Sequence, residues 1–437
     1  MTELIVHVPR ITHRLNYTLD LVFGRLLGLK YRLVTDPSKL EESMNPVLVY
    51  GNEPLGDFPF IRSTDLLFSR EIHMQHLQPM PLGSIKGIFP VFHAQSAMPF
   101  DPFAAAFYVV SRYEEYLPFV ADQHGRFEAR SSVLYELGLL EKPVVNLWAN
   151  MLGEMLEQRF PGLMTSKPAY RFIPTYDIDV AWAYRHKGFY RTVLSALNDL
   201  ARGDRQNFSE RISVLQGRQN DPYNTYDYQL DLQKKYALQP IYFFLFSEYG
   251  PYDKNNPVSN LNFAALIRRL ADYAKAGIHP SYNTFTDKAR LQSEINGLSD
   301  VLHQPVKMSR QHFLRLRLPE TYHYLIDLDI TDDYTMGYAS APGFRAGITI
   351  PFPYYDLDHD VPTTLTVHPF MIMDGTLRDY LNFGPEAAIE KAIPIIESVK
   401  NSGGDMITLW HNESLSDKKR WTGWRKVYEK IIESALE

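Results

Sequence analysis

Two rhythms of apolar and polar positions divide the chain. In the first, Leu15, Leu19, Phe23 and Leu26 fall at the spacing of one helix face, and the run 45–50 (NPVLVY) predicts a short strand ending at Gly51. Helix and strand alternate loosely from there to about residue 160. Asp101 followed by Pro102 predicts a helix start, with the Asp as N-cap and the Pro in the first turn, where a missing N–H costs nothing. That helix is expected to run on through Ser111-Arg112-Tyr113-Glu114-Glu115-Tyr116. There it should present a solvated face rather than a binding groove, with Tyr113 and Tyr116 packed on a neighbour.

Beyond residue 170 the rhythm changes. The runs 171–175, 240–246, 276–279, 306–313, 333–338, 346–351, 364–371 and 406–410 read as strands, with helical patterns between several of them. This order predicts βα units and a mostly parallel sheet. Many of the runs end in polar residues, which is how a (β/α) barrel collects its chemistry at the C-terminal ends of its strands. The turn-forming stretch 161–168 (PGLMTSKP) marks a boundary. The expected organisation is α/β throughout: a smaller α/β domain over 1–165, then a barrel over 166–437. The polar helical passage 198–227 lacks a strand pattern and reads as an insertion or crossover.

Composition narrows the chemistry. At 437 residues the chain exceeds the usual size of a single hydrophobic core, so two domains are expected, and a hydrophobic fraction of 45% is ample for both. A formal net charge of −6, with no block of Lys or Arg, argues against nucleic acid as a partner. There is no cysteine, so disulfides, thiolate catalysis and Cys-ligated zinc are excluded, and a metal would have to be held by His, Asp or Glu. Arg14, Asp20 and Arg25 interrupt the apolar positions near the N-terminus, which fits neither a secretory signal nor a membrane span of roughly 18 apolar residues. The expectation is a soluble, cytoplasmic protein; nothing in the pattern sets an oligomeric state.

The polar strand ends form a constellation. Thr175-Tyr176-Asp177-Ile178-Asp179 places two carboxylates two residues apart, and each would raise the other's pKa unless a cation lay between them. His279 precedes Pro280, which disfavours helix and puts the histidine at a strand end. Arg310 and His312 share a face if their run is extended. Asp333 and Arg345 follow, and His411 ends the last apolar run. Carboxylates, histidines and arginines at successive strand ends suit a hydrolytic metal site. Arg345 and Asp333 either serve that site or form a buried ion pair. Tyr282, Trp410 and Trp182 either floor a sugar site or pack in the core. His303, His323 and His359 read as surface residues.

The segments TYDID, GIHPSYN, SRQHF, DDYT and LWHN, in this order over 171–437, resemble the polysaccharide deacetylase group (NodB homology, carbohydrate esterase family 4). The resemblance implies a distorted (β/α)7 barrel, a divalent metal, and removal of acetyl groups from a carbohydrate substrate. It implies Asp177 as catalytic base, Asp179 and His279 as metal ligands, Arg310 as the residue orienting the base, and His411 as general acid. The family's second metal histidine falls at Asn283, which would then face substrate or stand behind a ligand, as would Tyr282, Arg345 and Trp410. His312 is the replacement ligand or a donor behind one, and Asp333 or Arg310 holds the charges of the acid–base pair. A divalent ion, zinc first with cobalt or nickel as alternatives, would lower the pKa of bound water towards ~7 and polarise the acetyl carbonyl. The stretch DPFAAAFYVVSRYEEYLP with its HGRF follow-on is similar to an uncharacterised domain found before such barrels. Three readings stand: a deacetylase of an N-acetylated sugar or glycan, by location an intracellular precursor; an inactive barrel that binds a glycan or a protein, with Asn283 marking a lost site; and a hydrolase of a non-sugar amide.

Overall fold

The computed structural model describes residues 3–40 and 45–437. Its N-terminal part is built on a parallel sheet of β1 (Leu4–His7), β2 (Tyr31–Val34), β3 (Val47–Gly51) and β4 (Phe60–Arg62), in the order β2-β1-β3-β4. Helix α1 (His13–Leu19) continues into a π-helical segment, Asp20–Leu26, and together they realise the expected apolar stripe. A hairpin of β5 (Met80–Leu82) and β6 (Ile85–Gly87) leads to α2 (Pro102–Val110), α3 (Val133–Glu136) and α4 (Val144–Arg159). The Asp101 carboxylate accepts from the N–H groups of Phe103 and Ala104, capping α2 as expected.

The expected continuation of α2 fails. Arg112 adopts a left-handed backbone (φ 55°), and Tyr113–Tyr116 turns into a 3-10 helix. Its polar residues are buried rather than solvated. Arg112 bonds Glu114 and Glu115, and Glu115 receives Arg345 through both carboxylate oxygens, at 3.0 and 2.6 Å. Arg345 therefore pairs with Glu115, not with Asp333. This network, with Arg14–Asp360 at 2.8 Å and the Tyr17 hydroxyl on the Pro353 carbonyl, ties the N-terminal part to the rest through one continuous apolar core.

The second part is a nine-stranded sheet. Its strands are β7 (Arg171–Ile178), β8 (Ile241–Phe244), β9 (Lys275–Ile278), β10 (Met308–Ser309), β11 (Asp332–Asp333), β12 (Phe352–Asp356), β13 (Val361–Val367), β14 (Ile372–Met373) and β15 (Asp405–His411), in the order β12-β13-β11-β10-β9-β8-β7-β15-β14. Only β12 is antiparallel to its neighbour. Helices α5 (Phe189–Ala201), α6 (Arg205–Leu215) and α7 (Tyr226–Tyr236) separate β7 from β8, and α8 (Leu261–Ala271), α9 (Lys288–Leu302) and α10 (Glu320–Asp327) follow the next three strands. Helix α11 (Pro385–Ser402) precedes β15, and α12 (Trp424–Leu436) ends the chain.

The sheet curls round its own interior. Alternate residues point to opposite faces, so Ile173, Ile241, Phe243, Ile407 and Leu409 meet Tyr334, Phe370 and Met373 in an inner cluster, while Tyr176, Tyr242 and Trp410 face the helices. The segment joining β13 to β14 bridges the two flanks, with the Phe370 N–H on the Met336 carbonyl and the Met371 N–H on the Ile407 carbonyl.

Three expected strands change. The run 306–313 keeps only the two-residue strand β10, and 333–338 keeps only Asp333 of the two-residue β11, before each turns away. The run 346–351 is no strand, because its polar backbone is used by the N-terminal part: the Val145 N–H bonds the Gly347 carbonyl, and a Cβ at Gly347 (φ 62°) would lie 2.7 Å from Val109. Among the described residues no helix is long and apolar enough to cross a membrane.

Candidate metal centre

Strand register assembles the site. His411 lies opposite Asp177 across β15 and β7, and the same alternation that sends Ile173 and Leu409 inward sends both of them into the mouth of the curled sheet. Asp179 sits in the bend just beyond β7, and His279 follows β9 directly, its N–H bonded to the Phe244 carbonyl.

Three imidazoles converge on Asp179. Its Oδ1 lies 3.2 Å from His279 Nε2, and its Oδ2 lies 3.7 Å from the Nε2 of both His312 and His411. In each ring the other nitrogen is committed. His279 Nδ1 meets the Arg310 carbonyl at 2.6 Å, His312 Nδ1 meets Asp253 Oδ1 at 2.9 Å, and His411 Nδ1 meets Asp374 Oδ1 at 2.8 Å. Each of those oxygens can only accept, so Nδ1 carries the proton and the Nε2 lone pair of a neutral ring points inward, as metal-binding histidines require. Asp179 Oδ1 is buried with no hydrogen-bond partner among the described residues, and one donor atom each from Asp179, His279 and His312 fall within 4.8 Å of one another. An orphaned carboxylate oxygen facing imidazole nitrogens is what a cation would satisfy, and the donor set suits a divalent first-row ion.

The imidazoles balance the Asp179 charge among themselves, and a bound ion would displace a proton from His312. Burial works against the Asp179 charge, yet His312, His279 and His411 hold its carboxyl well below the usual range. Burial likewise opposes a charge on His312, but Asp179 and Asp253 raise it to about 9. His411 is likewise raised, with Asp374 the strongest contributor against burial. Asp177 has different company. Arg310 Nη1 donates to its Oδ1 at 3.0 Å and to Thr175 Oγ1 at 2.5 Å, while Nε holds the Tyr334 carbonyl and the guanidinium rests 4.6 Å from the Phe243 ring centroid. Asp177 Oδ2 is left facing the site, 3.8 Å from His279 Nε2.

These groups floor a cavity of about 240 Å³ walled by Phe313, Leu409, Met373, Tyr380 and Trp421. Phe313 and Leu314 both take left-handed backbone (φ 58° and 54°), a strained pair of the kind held in place at functional sites. Arg126 from the N-terminal part lines the same cavity, its Nη1 donating to the Phe313 carbonyl at 2.8 Å.

Other expected site residues stand elsewhere. Asp333 turns outward and accepts from the Tyr322 hydroxyl, the Thr335 N–H and Thr335 Oγ1. Asn283 is exposed, off the cavity. Tyr282 stacks on Tyr252 behind Phe313. Trp410 has the outward parity of β15 and packs on Trp424 and Tyr428. Trp182 is buried against His186 and Phe263. His323 and His359 are not solitary surface residues, since both bond Asp356 Oδ2, at 2.7 and 2.6 Å. Those are direct hydrogen-bond distances, shorter than the spread of donors round Asp179.

Asp253, Asp374 and Arg126 escaped the sequence reading. Asp374 carried a usable signal, since it ends the apolar run Met371-Ile372-Met373 just as Asp177 ends its own.

Residues 4–161 match a family of unknown function, DUF7033. No curated protein matches the chain. Among solved structures, a protein assigned as a polysaccharide deacetylase from Mycobacterium smegmatis is similar at 14% identity and a TM-score of 0.38, covering 61% of this chain and 84% of its own. The polysaccharide deacetylase Bc1974 from Bacillus cereus is similar at 10% identity and a TM-score of 0.28, covering 61% and 87%. Puue allantoinase is similar at 10% identity and a TM-score of 0.35, covering 61% and 83%.

Proposed function

We propose that the chain is a metal-dependent hydrolase that removes the acetyl group from an N-acetylated sugar or glycan. The observation that carries this reading is the convergence of three Nε2 atoms, each ring fixed through its Nδ1, on a carboxylate beside an arginine-held second carboxylate. The motif order that resembles polysaccharide deacetylases supplies the substrate class. Asp179, His279 and His312 would hold the ion, with zinc, cobalt or nickel all compatible with two imidazoles and a carboxylate. When bound, it would acidify a water and polarise the acetyl carbonyl.

The chain's own groups then divide the proton transfers. Arg310 occupies Asp177 Oδ1 and leaves Oδ2 free to take the proton of the attacking water. His411, kept protonated by Asp374, would give its Nε2 proton to the departing amine. Arg310 is a positioning residue and touches no substrate. His312 would supply the ligand that Asn283 does not, and on that reading an exposed Asn283 does not by itself mark a dead site. The test is acetate release from a panel of N- and O-acetylated sugars by zinc-loaded protein. Turnover is expected and should be lost in Asp177→Asn; activity confined to non-acetyl amides would replace the sugar reading with the amidase one.

A further inference from the structure

Helix α5 is turned inside out. Phe189, Tyr190, Val193, Leu194, Leu197 and Leu200 share one face at helical spacing, the signature of a core-facing stripe, yet they are between 40% and 82% exposed. The helix's polar side faces the protein instead. Asp199 is buried on Arg211 of α6 at 2.8 Å, and Arg191 reaches in to the Asn255 carbonyl and lies over the Tyr249 ring. Tyr249, itself 54% exposed, extends the apolar surface at the base of the helix.

Cations stand at both ends of the helix, Arg202 and Arg205 at one and Lys254 at the other, with the exposed acid Glu248 beside Tyr249, although the chain as a whole carries −6. Arg202, Arg205 and Arg218 are exposed and have no carboxylate partner among the described residues, and Lys254 is exposed beside Tyr249. Asp204, which caps α6, is the one exposed acid between Arg202 and Arg218. A helix with large aromatic and aliphatic residues on its outer face and arginines at its margins fits the boundary between headgroups and acyl chains of a bilayer. A second copy fits poorly, because an antiparallel two-fold contact through α5 would set Arg202 and Arg205 at one end of the helix against Lys254 at the other.

We propose that α5 docks the protein peripherally on an anionic lipid surface. This surface stands on its own chemistry, whether or not the metal centre removes acetyl groups. It lies close to that centre: Lys254 follows Asp253, which holds His312, and Arg420 and Trp421 line both the metal cavity and the groove beside Tyr184 and Lys187 at the root of α5. Docking therefore places the cavity near the headgroup layer, within reach of substrates held there.

The test is flotation of the purified full chain with vesicles of phosphatidylcholine alone and of phosphatidylcholine with phosphatidylglycerol. Binding is expected to the anionic vesicles and to weaken with added salt. A Leu194→Glu/Leu197→Glu variant, altering exposed side chains only, should lose about 100-fold in partitioning. An Arg202→Ala/Arg205→Ala variant should lose the preference for phosphatidylglycerol. Melting temperature and metal content of both variants should match the parent, which separates lost docking from lost folding. Failure of the parent to float with anionic vesicles would overturn the proposal. So would undiminished binding by the leucine variant, or a concentration-dependent dimer broken by that variant without any vesicle binding.

Discussion

Replacing Asp374 by Asn isolates the charge behind His411. Asp374 is fully buried and accepts from both the His411 N–H and its Nδ1–H at 2.8 Å, so the isosteric amide keeps the shape and one acceptor while removing the charge. With charge centres about 4 Å apart and an effective dielectric near 20, the lost attraction is worth up to about 4 kcal/mol. The His411 pKa must fall in the variant, because the imidazolium loses the carboxylate that holds it up, and relaxation of the site would reduce the energy lost. A general acid must be protonated to act, so kcat falls as pH rises through the His411 pKa. The variant should move that basic limb to lower pH, so that kcat falls at a pH where the parent is still fully active, by up to the roughly 10²-fold that an assisted proton transfer is worth, with KM and bound metal unchanged. The assay is acetate release as a function of pH on whichever acetylated sugar the enzyme turns over. A pH profile superimposable on that of the parent, with kcat within a small factor, would refute the assignment of His411 as the acid that Asp374 sustains.

Asp253→Ala should weaken metal binding by about 10–100-fold, measured by competition with a chromophoric chelator, because His312 loses the carboxylate that orients its ring. Asn283→Ala, at an exposed position off the cavity, should leave metal affinity and turnover unaltered; a loss of either would return Asn283 to the site. Burial pushes the Asp333 carboxyl from 3.8 up to about 6, so the native state binds a proton that the unfolded chain has released. Its contribution to stability is whole below about pH 4 and is lost as pH rises through 6, by roughly 3 kcal/mol. Urea unfolding of Asp333→Asn across that window should lack this fall, and a parent-like slope in the variant would contradict the account.

What the sequence revealed depended on how local the physics was. The two-residue alternation of 171–178 and 405–411 was legible because one face of each strand is apolar, and it correctly delivered Asp177 and His411 to one rim. His312 was legible only through its spacing from Arg310; the structure brings both inward although the chain turns after Ser309 instead of staying extended. Trp410 stayed open between a sugar floor and core packing because an aromatic residue at a strand end carries no sign of its face, and the parity of β15 sends it to the helices. The partnership of Arg345 with Glu115 spans 230 residues and obeys no local pattern, so the buried SRYEEY segment looked solvated. Asp253 comes from an irregular stretch whose only cue was its charge. The apolar spacing of α5 went unread, and periodicity in any case says which residues share a face and not which way that face looks.

The central claim is that Asp179, His279 and His312 hold one divalent ion. Elemental analysis of protein loaded with zinc and dialysed against metal-free buffer tests it most directly, with His312→Ala analysed beside it. The account predicts about one ion per chain in the parent, in line with a three-ligand site of this donor type, and a substoichiometric amount in the variant. Parent protein that retains no stoichiometric ion, or a His312→Ala variant that retains as much as the parent, would contradict it.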